Sequence, residues 1–241
     1  MVHLQDPPAG WGNDDITAFI DHARQNCFAT YANLRQEYAK IAEVDAIFRK
    51  VPDNLINTPD WFAALFLLRA HSAFLAGAHV AMSAQATETY ALLRVCLENG
   101  LYGLYLARNP NSRETWLRRH DNEQATRRVK EEFKISNLFA TLRGIDNTHA
   151  EIVRKLYERC IDYGAHPNER AFIQSLQTEE GPDKTKLQIV YLNNDPSIRR
   201  ACLKTVAQVG LSVLNIFQLV FRERFLLTGL SDKLNHARQG L

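Results

Sequence analysis

Apolar residues recur along most of this chain at the three- and four-residue spacing of helices rather than at the two-residue spacing of strands. Local signals divide the pattern into segments: Asp14 or Asn13 caps the first, the Thr-Pro-Asp run at 58–60 opens the second, and Asp195 caps the last. The predicted helices span about 14–50, 59–82, 89–108, 112–134, 136–143, 147–166 and 195–227. The last of them should be largely buried and has a narrow polar stripe, formed by Gln208, Ser212, Asn215 and Arg222. The sequence therefore predicts an all-α protein, an antiparallel bundle of about six helices.

The segment 167–194 is less regular, and we expect an irregular insertion that can contain β-structure. Within it, Ala171–Gln177 is predicted to form a helical turn, 180–183 a tight turn, and Thr185–Leu192 an extended stretch. The predicted organisation is an irregular lead-in at 1–13, a single helical-bundle domain at 14–228 and a frayed tail at 229–241.

The helix predicted at Thr89–Arg108 is apolar almost all round, which is typical of a buried helix. Small residues, including Gly100 and Gly103, form a strip along one side that would let another helix approach closely. Arg94 and Glu98 lie four residues apart on one face, with Tyr105 two turns further along. Charges on a buried helix must be paired or must serve a ligand, so these three residues are either a structural feature or part of a binding site.

Composition narrows the possible partners and cellular location of the protein. A formal charge of +2, from 29 basic and 27 acidic residues, is no strong signature of nucleic-acid or membrane binding. The four cysteines are widely spaced without a zinc or redox motif, and the N-terminus does not resemble a signal peptide, so we expect a reduced, cytoplasmic protein. Arg69, His71 and His79 interrupt the most hydrophobic run, Trp61–Met82, which favours a buried bundle helix over a membrane span.

The helix predicted at 112–134 is rich in both arginine and glutamate. It is either a solvated helix with many ion pairs or a basic surface that faces phosphates.

Candidate chemistry lies near the end of the helix predicted at 147–166. If that helix persists to His166, then Arg159, Asp162, Tyr163 and His166 lie on one stripe, because their offsets are three, four and seven. The arginine and the histidine would then stand about 10 Å apart and could bracket a phosphodiester, the first holding the phosphate and the second moving a proton. Alternatively, Gly164 ends the helix, the residue before Pro167 becomes extended, and the stripe is broken.

The arginine of this Arg-x6-His pattern and its proline-followed histidine resemble the motif of HEPN-type helical domains. The Arg94-x3-Glu98 helix followed by Asn109-Pro110 is also similar to allied bacterial families of undetermined function. The resemblance covers roughly 60–225 and implies an antiparallel helical bundle that is usually dimeric. In active members it implies metal-independent RNA cleavage with paired motifs at the dimer interface, whereas other members are inactive binding or adaptor modules.

Three functions are therefore expected. The leading one is a cytoplasmic, bacterial HEPN-like module whose polar pocket, built on Arg94, Glu98 and His166, binds a small anionic or nucleotide-like ligand or a protein partner. The second is an endoribonuclease in which Arg159 stabilises the charged transition state and His166 is the general acid and base. The third is a structural scaffold. No cofactor, metal or membrane is expected, RNA is a candidate partner, and a homodimer is an open alternative.

Overall fold

The computed structural model describes residues 7–55, 58, 61–181 and 184–241. Most of these residues are helical, and two short strands interrupt them. The elements are α1 (Asp15–Asn33), α2 (Arg35–Asp53), α3 (Trp61–Met82), α4 (Ala86–Arg108), α5 (Ser112–Leu117), α6 (Glu123–Glu132), α7 (Ile135–Ile145), α8 (Asn147–Cys160), α9 (Glu169–Ser175), β1 (Leu176–Glu180), β2 (Thr185–Ile189), α10 (Pro196–Val220), α11 (Arg222–Leu227) and α12 (Leu230–Ala237). The all-α class is confirmed, but the number of about six helices is wrong.

Helix α4 lies in the core, as its apolar sequence predicts, and Leu93, Leu97 and Leu101 are fully buried. Its glycines admit the neighbouring helices. A Cβ atom added at Gly103 would lie 2.8 Å from the ring of Phe217 on α10. The small residues therefore fix how closely α10 approaches, and the apolar contact between these helices forms the centre of the protein.

The single helix predicted at 14–50 is wrong, because the chain leaves helical geometry at Leu34 (φ −121°, ψ 50°). Leu34 is buried at this break, and the two halves then pack differently. Helix α2 buries Val44 and Phe48 against the core, whereas α1 keeps Ile16 and Phe28 exposed. Periodicity alone did not reveal the break, because apolar positions continue at helical spacing through it.

Two further helix predictions need correction. The helix predicted at 112–134 is divided into α5 and α6, because Asn122 is extended and its side chain accepts the Ala125 N–H at 2.8 Å as an N-cap. The last helix stops at Val220 rather than near 227. Residues 230–237, expected to be part of a frayed tail, form α12, whose Leu230 and Leu234 are buried.

The irregular insertion has the expected β-structure. Strands β1 and β2 form an antiparallel hairpin in which Leu176 pairs with Ile189, so the extended prediction is confirmed over Thr185–Ile189. The predicted cap of the last helix is also confirmed, since Asp195 accepts the Ser197 N–H at 2.7 Å. Positions 59 and 60 of the predicted start signal and positions 182 and 183 of the predicted turn lie outside the described residues. Residues 7–13 form turns and bends rather than a helix or strand.

By length and hydropathy, α3 and α10 could each cross a bilayer, a test that core helices of soluble proteins also pass. The most apolar window is 39% buried within the protein for α3 and 72% buried for α10.

Candidate functional site

The charged pair on α4 is held at the edge of the core, where α8 crosses it. Arg94 Nε donates to Glu98 Oε1 at 2.8 Å, and the Tyr157 hydroxyl donates to the same oxygen at 3.0 Å. The side chains of Arg94 and Glu98 are 28% and 31% exposed, so neither charge is fully desolvated. Burial and the Glu98 carboxylate together raise the pKa of Tyr157 to about 12, which keeps this hydroxyl protonated as a donor. These contacts explain the charges on α4 as part of a polar contact between α4 and α8.

Tyr105 lies elsewhere, in an aromatic cluster with Phe133, where the two ring centroids are 5.2 Å apart. It does not contribute to the Arg94–Glu98–Tyr157 group.

The stripe predicted from Arg159 to His166 is broken. Helix α8 continues as a π-helical turn over Ile161–Ala165, and Gly164 (φ 175°, ψ −22°) departs from helical geometry. His166, which precedes a proline, is extended and exposed. Asp162 forms an ion pair with Arg170 at 2.6 Å rather than orienting Arg159 or His166.

His166 lines a cavity of about 370 Å³ at the N-terminus of α4, together with Thr87, Phe172 and Tyr191. Arg94, Glu98 and Arg159 are not among the described residues that line it. The single pocket expected for Arg94, Glu98 and His166 is therefore not formed, and Arg159 and His166 do not face one another across a shared cavity.

Arg159 instead points to α10, where its Nη1 atom donates to Thr205 Oγ1 at 3.3 Å and to Gln208 Oε1 at 3.0 Å. Both partners are uncharged, and no carboxylate in the described part of the chain forms an ion pair with Arg159. Because neutral partners do not neutralise it, the positive charge of such an arginine and its remaining N–H donors are available to bind an anion.

A cavity of about 1080 Å³ opens beside this arginine, between the end of α8, α9 and the first half of α10. Arg159, Arg170 and Lys204 line it, and none of its described lining residues is acidic. Tyr90 and Tyr163 form an aromatic side of the cavity, with ring centroids 5.5 Å apart. Burial is the main reason that the pKa of Tyr90 is raised, so this hydroxyl stays neutral.

Arg159 and Gln208 also line a second cavity of about 420 Å³, which runs toward α12. We call the two cavities together the α8–α10 trough. Its floor is the polar stripe of the last helix, of which Gln208, Ser212 and Asn215 line the second cavity. Arg222, the fourth member of that stripe, does not line either cavity.

The basic stretch at 112–134 is largely neutralised by its own acidic residues. Arg118 pairs with Asp121 at 2.7 Å and with Glu114 at 3.4 Å, and Arg127 pairs with Glu123 at 3.6 Å. This arrangement favours the solvated, ion-paired interpretation over a phosphate-facing surface.

Of the predicted site residues, the structure brings Arg159 and Tyr163 together in the trough and places the others elsewhere. Sequence reasoning missed Lys204 and Thr205. The available signal was the polar stripe on an otherwise apolar last helix, since a polar row on a buried helix needs polar partners. Within the described residues, no group of three or more His, Cys, Asp or Glu side chains is arranged to hold a metal ion.

Comparison of the chain with protein-family models, with curated proteins and with solved structures gave no match.

Proposed function

We propose that this protein is a binding module for a small, phosphate-bearing, nucleotide-like ligand, and that the α8–α10 trough is its binding site. The observation that carries the proposal is Arg159, a partly buried arginine held by the neutral side chains of Thr205 and Gln208. It lies at the edge of a cavity whose described lining residues include no acidic side chain.

The electrostatics of the larger cavity suit an anion. Arg159 and Lys204 supply positive charge that no described carboxylate neutralises, and Arg170 adds a guanidinium that is shared with Asp162. Guanidinium groups bind phosphate through paired N–H donors, and an ammonium adds a point charge. The attraction is stronger in a partly enclosed cavity than on an open surface.

The aromatic side of the cavity suits a planar group. Tyr90 and Tyr163 present rings beside the cationic residues, and Ile173 and Ile198 add apolar surface. A ligand that combines a ring with a phosphate would fill both halves of such a cavity.

The proposed function is still the leading one expected from the sequence, a helical module that binds a ligand. The proposed binding site is different: it is the trough rather than a pocket built on Arg94, Glu98 and His166. Kinship with HEPN-type domains, cytoplasmic location and a homodimer remain part of the proposal, and the helical fold is compatible with them. The ribonuclease alternative needs Arg159 and His166 at one phosphodiester, and their separate cavities do not favour it.

Titration calorimetry with AMP, adenosine and inorganic phosphate tests the proposal on the full chain. We expect AMP to bind and adenosine to bind much more weakly, because only AMP carries the phosphate. Arg159→Gln should weaken AMP binding by about 10- to 100-fold, since a hydrogen bond to a charged group is worth about 1.5–3 kcal/mol. Arg222→Gln, which removes the same charge outside the trough, should leave the affinity unchanged.

Equal affinity for AMP and adenosine, or AMP binding that is insensitive to Arg159→Gln, would contradict the proposal. A parallel incubation with single-stranded RNA in EDTA tests the catalytic alternative. Cleavage that His166→Ala abolishes would replace the binding module with a ribonuclease.

A further inference from the structure

The α8–α10 trough does not end at Arg159. Its second cavity lies between the first part of α8, the second half of α10 and α12, and its lining includes His149, Lys155 and Arg238. Asp146 is the one acidic side chain among the described residues of this lining, and its carboxylate caps α8 by accepting the His149 N–H at 2.9 Å. Among the described side chains that line the second cavity, the cations Lys155, Arg159 and Arg238 therefore outnumber this one carboxylate.

Two arginines dock on the same polar stripe of α10 in the same way. Arg159 donates to the amide oxygen of Gln208, and Arg238 donates to the amide oxygen of Asn215. Neither arginine forms an ion pair with a carboxylate in the described part of the chain. Gln208 and Asn215 are seven residues apart, which is two helical turns, or about 10 Å along the axis. The trough thus presents two uncompensated guanidinium groups at a spacing set by one rigid helix.

His149 lies beside Arg238 in this lining. Its Nε2 atom is shielded from solvent and has no hydrogen-bond partner among the described residues. Because solvent does not reach this atom, it does not face the open cavity, and the ring rests against the backbone of Ser212, a contact that raises its pKa. His149 therefore shapes the cavity beside Arg238 and leaves the anion to that arginine. Burial is the main cause of the lowered pKa of His149, to which the charge of Arg238 contributes while Asp146 opposes it.

We propose that the trough binds one ligand with two anionic groups about 10 Å apart, the first at Arg159 and Lys204 and the second at Arg238. This inference rests on the proposed function for the first of the two groups. Joining two anions in one molecule makes the second contact intramolecular, which raises the affinity without any new type of interaction. Phosphate and carboxylate both match a guanidinium, so the ligand's second anion can be either.

A chain-length series of alkane-α,ω-bisphosphonates tests the spacing directly, with the matching monophosphonates as single-anion controls. In calorimetry on the full chain, affinity should rise with chain length, reach its maximum where the two phosphonates stand about 10 Å apart, and then fall. At the maximum we expect about 10- to 100-fold tighter binding than for the monophosphonate. The corresponding dicarboxylate series distinguishes the two anion chemistries.

Variants test which arginine binds each anionic group of the ligand. Arg238→Gln should remove the length optimum and reduce every bisphosphonate to the affinity of its monophosphonate. Arg159→Gln should weaken both series. Arg222→Gln is the matched control and should change neither.

Different results would overturn the two-anion inference and the proposed function. If affinity does not depend on chain length, or if Arg238→Gln leaves the optimum intact, the two-anion inference is overturned, whereas monophosphonate binding that depends on Arg159 still supports the proposed function. If no member of either series binds, the two-anion inference is overturned, and the AMP titration decides the proposed function separately.

Discussion

Gly164 is the residue on which the exit of the chain from α8 depends. A Cβ atom placed there would lie 1.9 Å from the carbonyl oxygen of Thr87 and 2.8 Å from its carbonyl carbon. Both are backbone atoms at the start of α4, so they cannot move aside as a flexible side chain would. The close approach lets the π-helical turn end against α4 and directs His166 away from the stripe of Arg159.

We expect Gly164→Ala to destabilise the protein by about 3 kcal/mol, because overpacking against fixed backbone must displace one of the two segments. Gly144→Ala is the control. Gly144 lies in α7 with no atom near the added Cβ, and alanine there should stabilise the helix by about 0.5–1 kcal/mol. Urea denaturation measures both variants, and equal stabilities would show that Gly164 does not make this contact.

His149 gives the protein a pH dependence near neutrality. Its pKa is lowered in the folded state, mainly by burial, so the unfolded chain binds the proton more readily. The stability that comes from the neutral imidazole is complete above the unfolded pKa of about 6.5 and is lost as the pH falls below it. The free energy of unfolding should therefore decrease between about pH 7.5 and 5.5.

The His149→Gln variant should show a weaker pH dependence over the same interval, because glutamine does not titrate. Denaturation curves at several pH values measure the difference. Parallel curves for the wild-type protein and the variant would contradict the role assigned to His149.

At the scale of elements, the ends of helices were predicted less well than their middles. Asp195 capped its helix as expected, since a carboxylate two or three residues before free N–H groups is a local feature. Asn122 caps α6 by the same chemistry, but it lies inside a stretch whose periodicity suggested an unbroken helix. The break at Leu34 has no side-chain cap for α2, and the leucine side chain is buried there.

Helix α12 is the clearest element that the sequence did not indicate. Leu234→Ala should destabilise the protein by about 3 kcal/mol, because a fully buried leucine leaves a cavity when truncated. Leu227→Ala, at a position that is 82% exposed, should change stability by less than about 0.5 kcal/mol. Thermal denaturation of the two variants tests the assignment. A frayed terminus would make both substitutions equally harmless.

At the scale of the whole molecule, the α8–α10 trough is assembled from residues that are distant in the chain. Arg159 and Gln208, which join its two cavities, are 49 positions apart. The trough also needs α12, because Arg238 reaches Asn215 only when α12 packs back on the core. Its positive charge comes from Arg159, Lys204 and Arg238 in a chain whose net charge is only +2, so overall charge did not predict it.

The sequence by itself determined the helical class, the burial of α4, the extended stretch at β2 and the polar stripe on α10. Each of these depends on periodicity or on capping within a few residues, and such local preferences act wherever the segment lies. It also identified Arg159 and Tyr163 as functional candidates, although it grouped them with residues that the structure places outside the trough.

Only the tertiary structure decided the break at Leu34, the docking of α12 and the separation of Arg159 from His166. It also decided that Glu98 pairs with Arg94 and Tyr157, so that the charges on α4 form an interhelical contact. These outcomes depend on which distant surfaces bury one another, and that choice minimises the free energy of the whole chain rather than of any one segment.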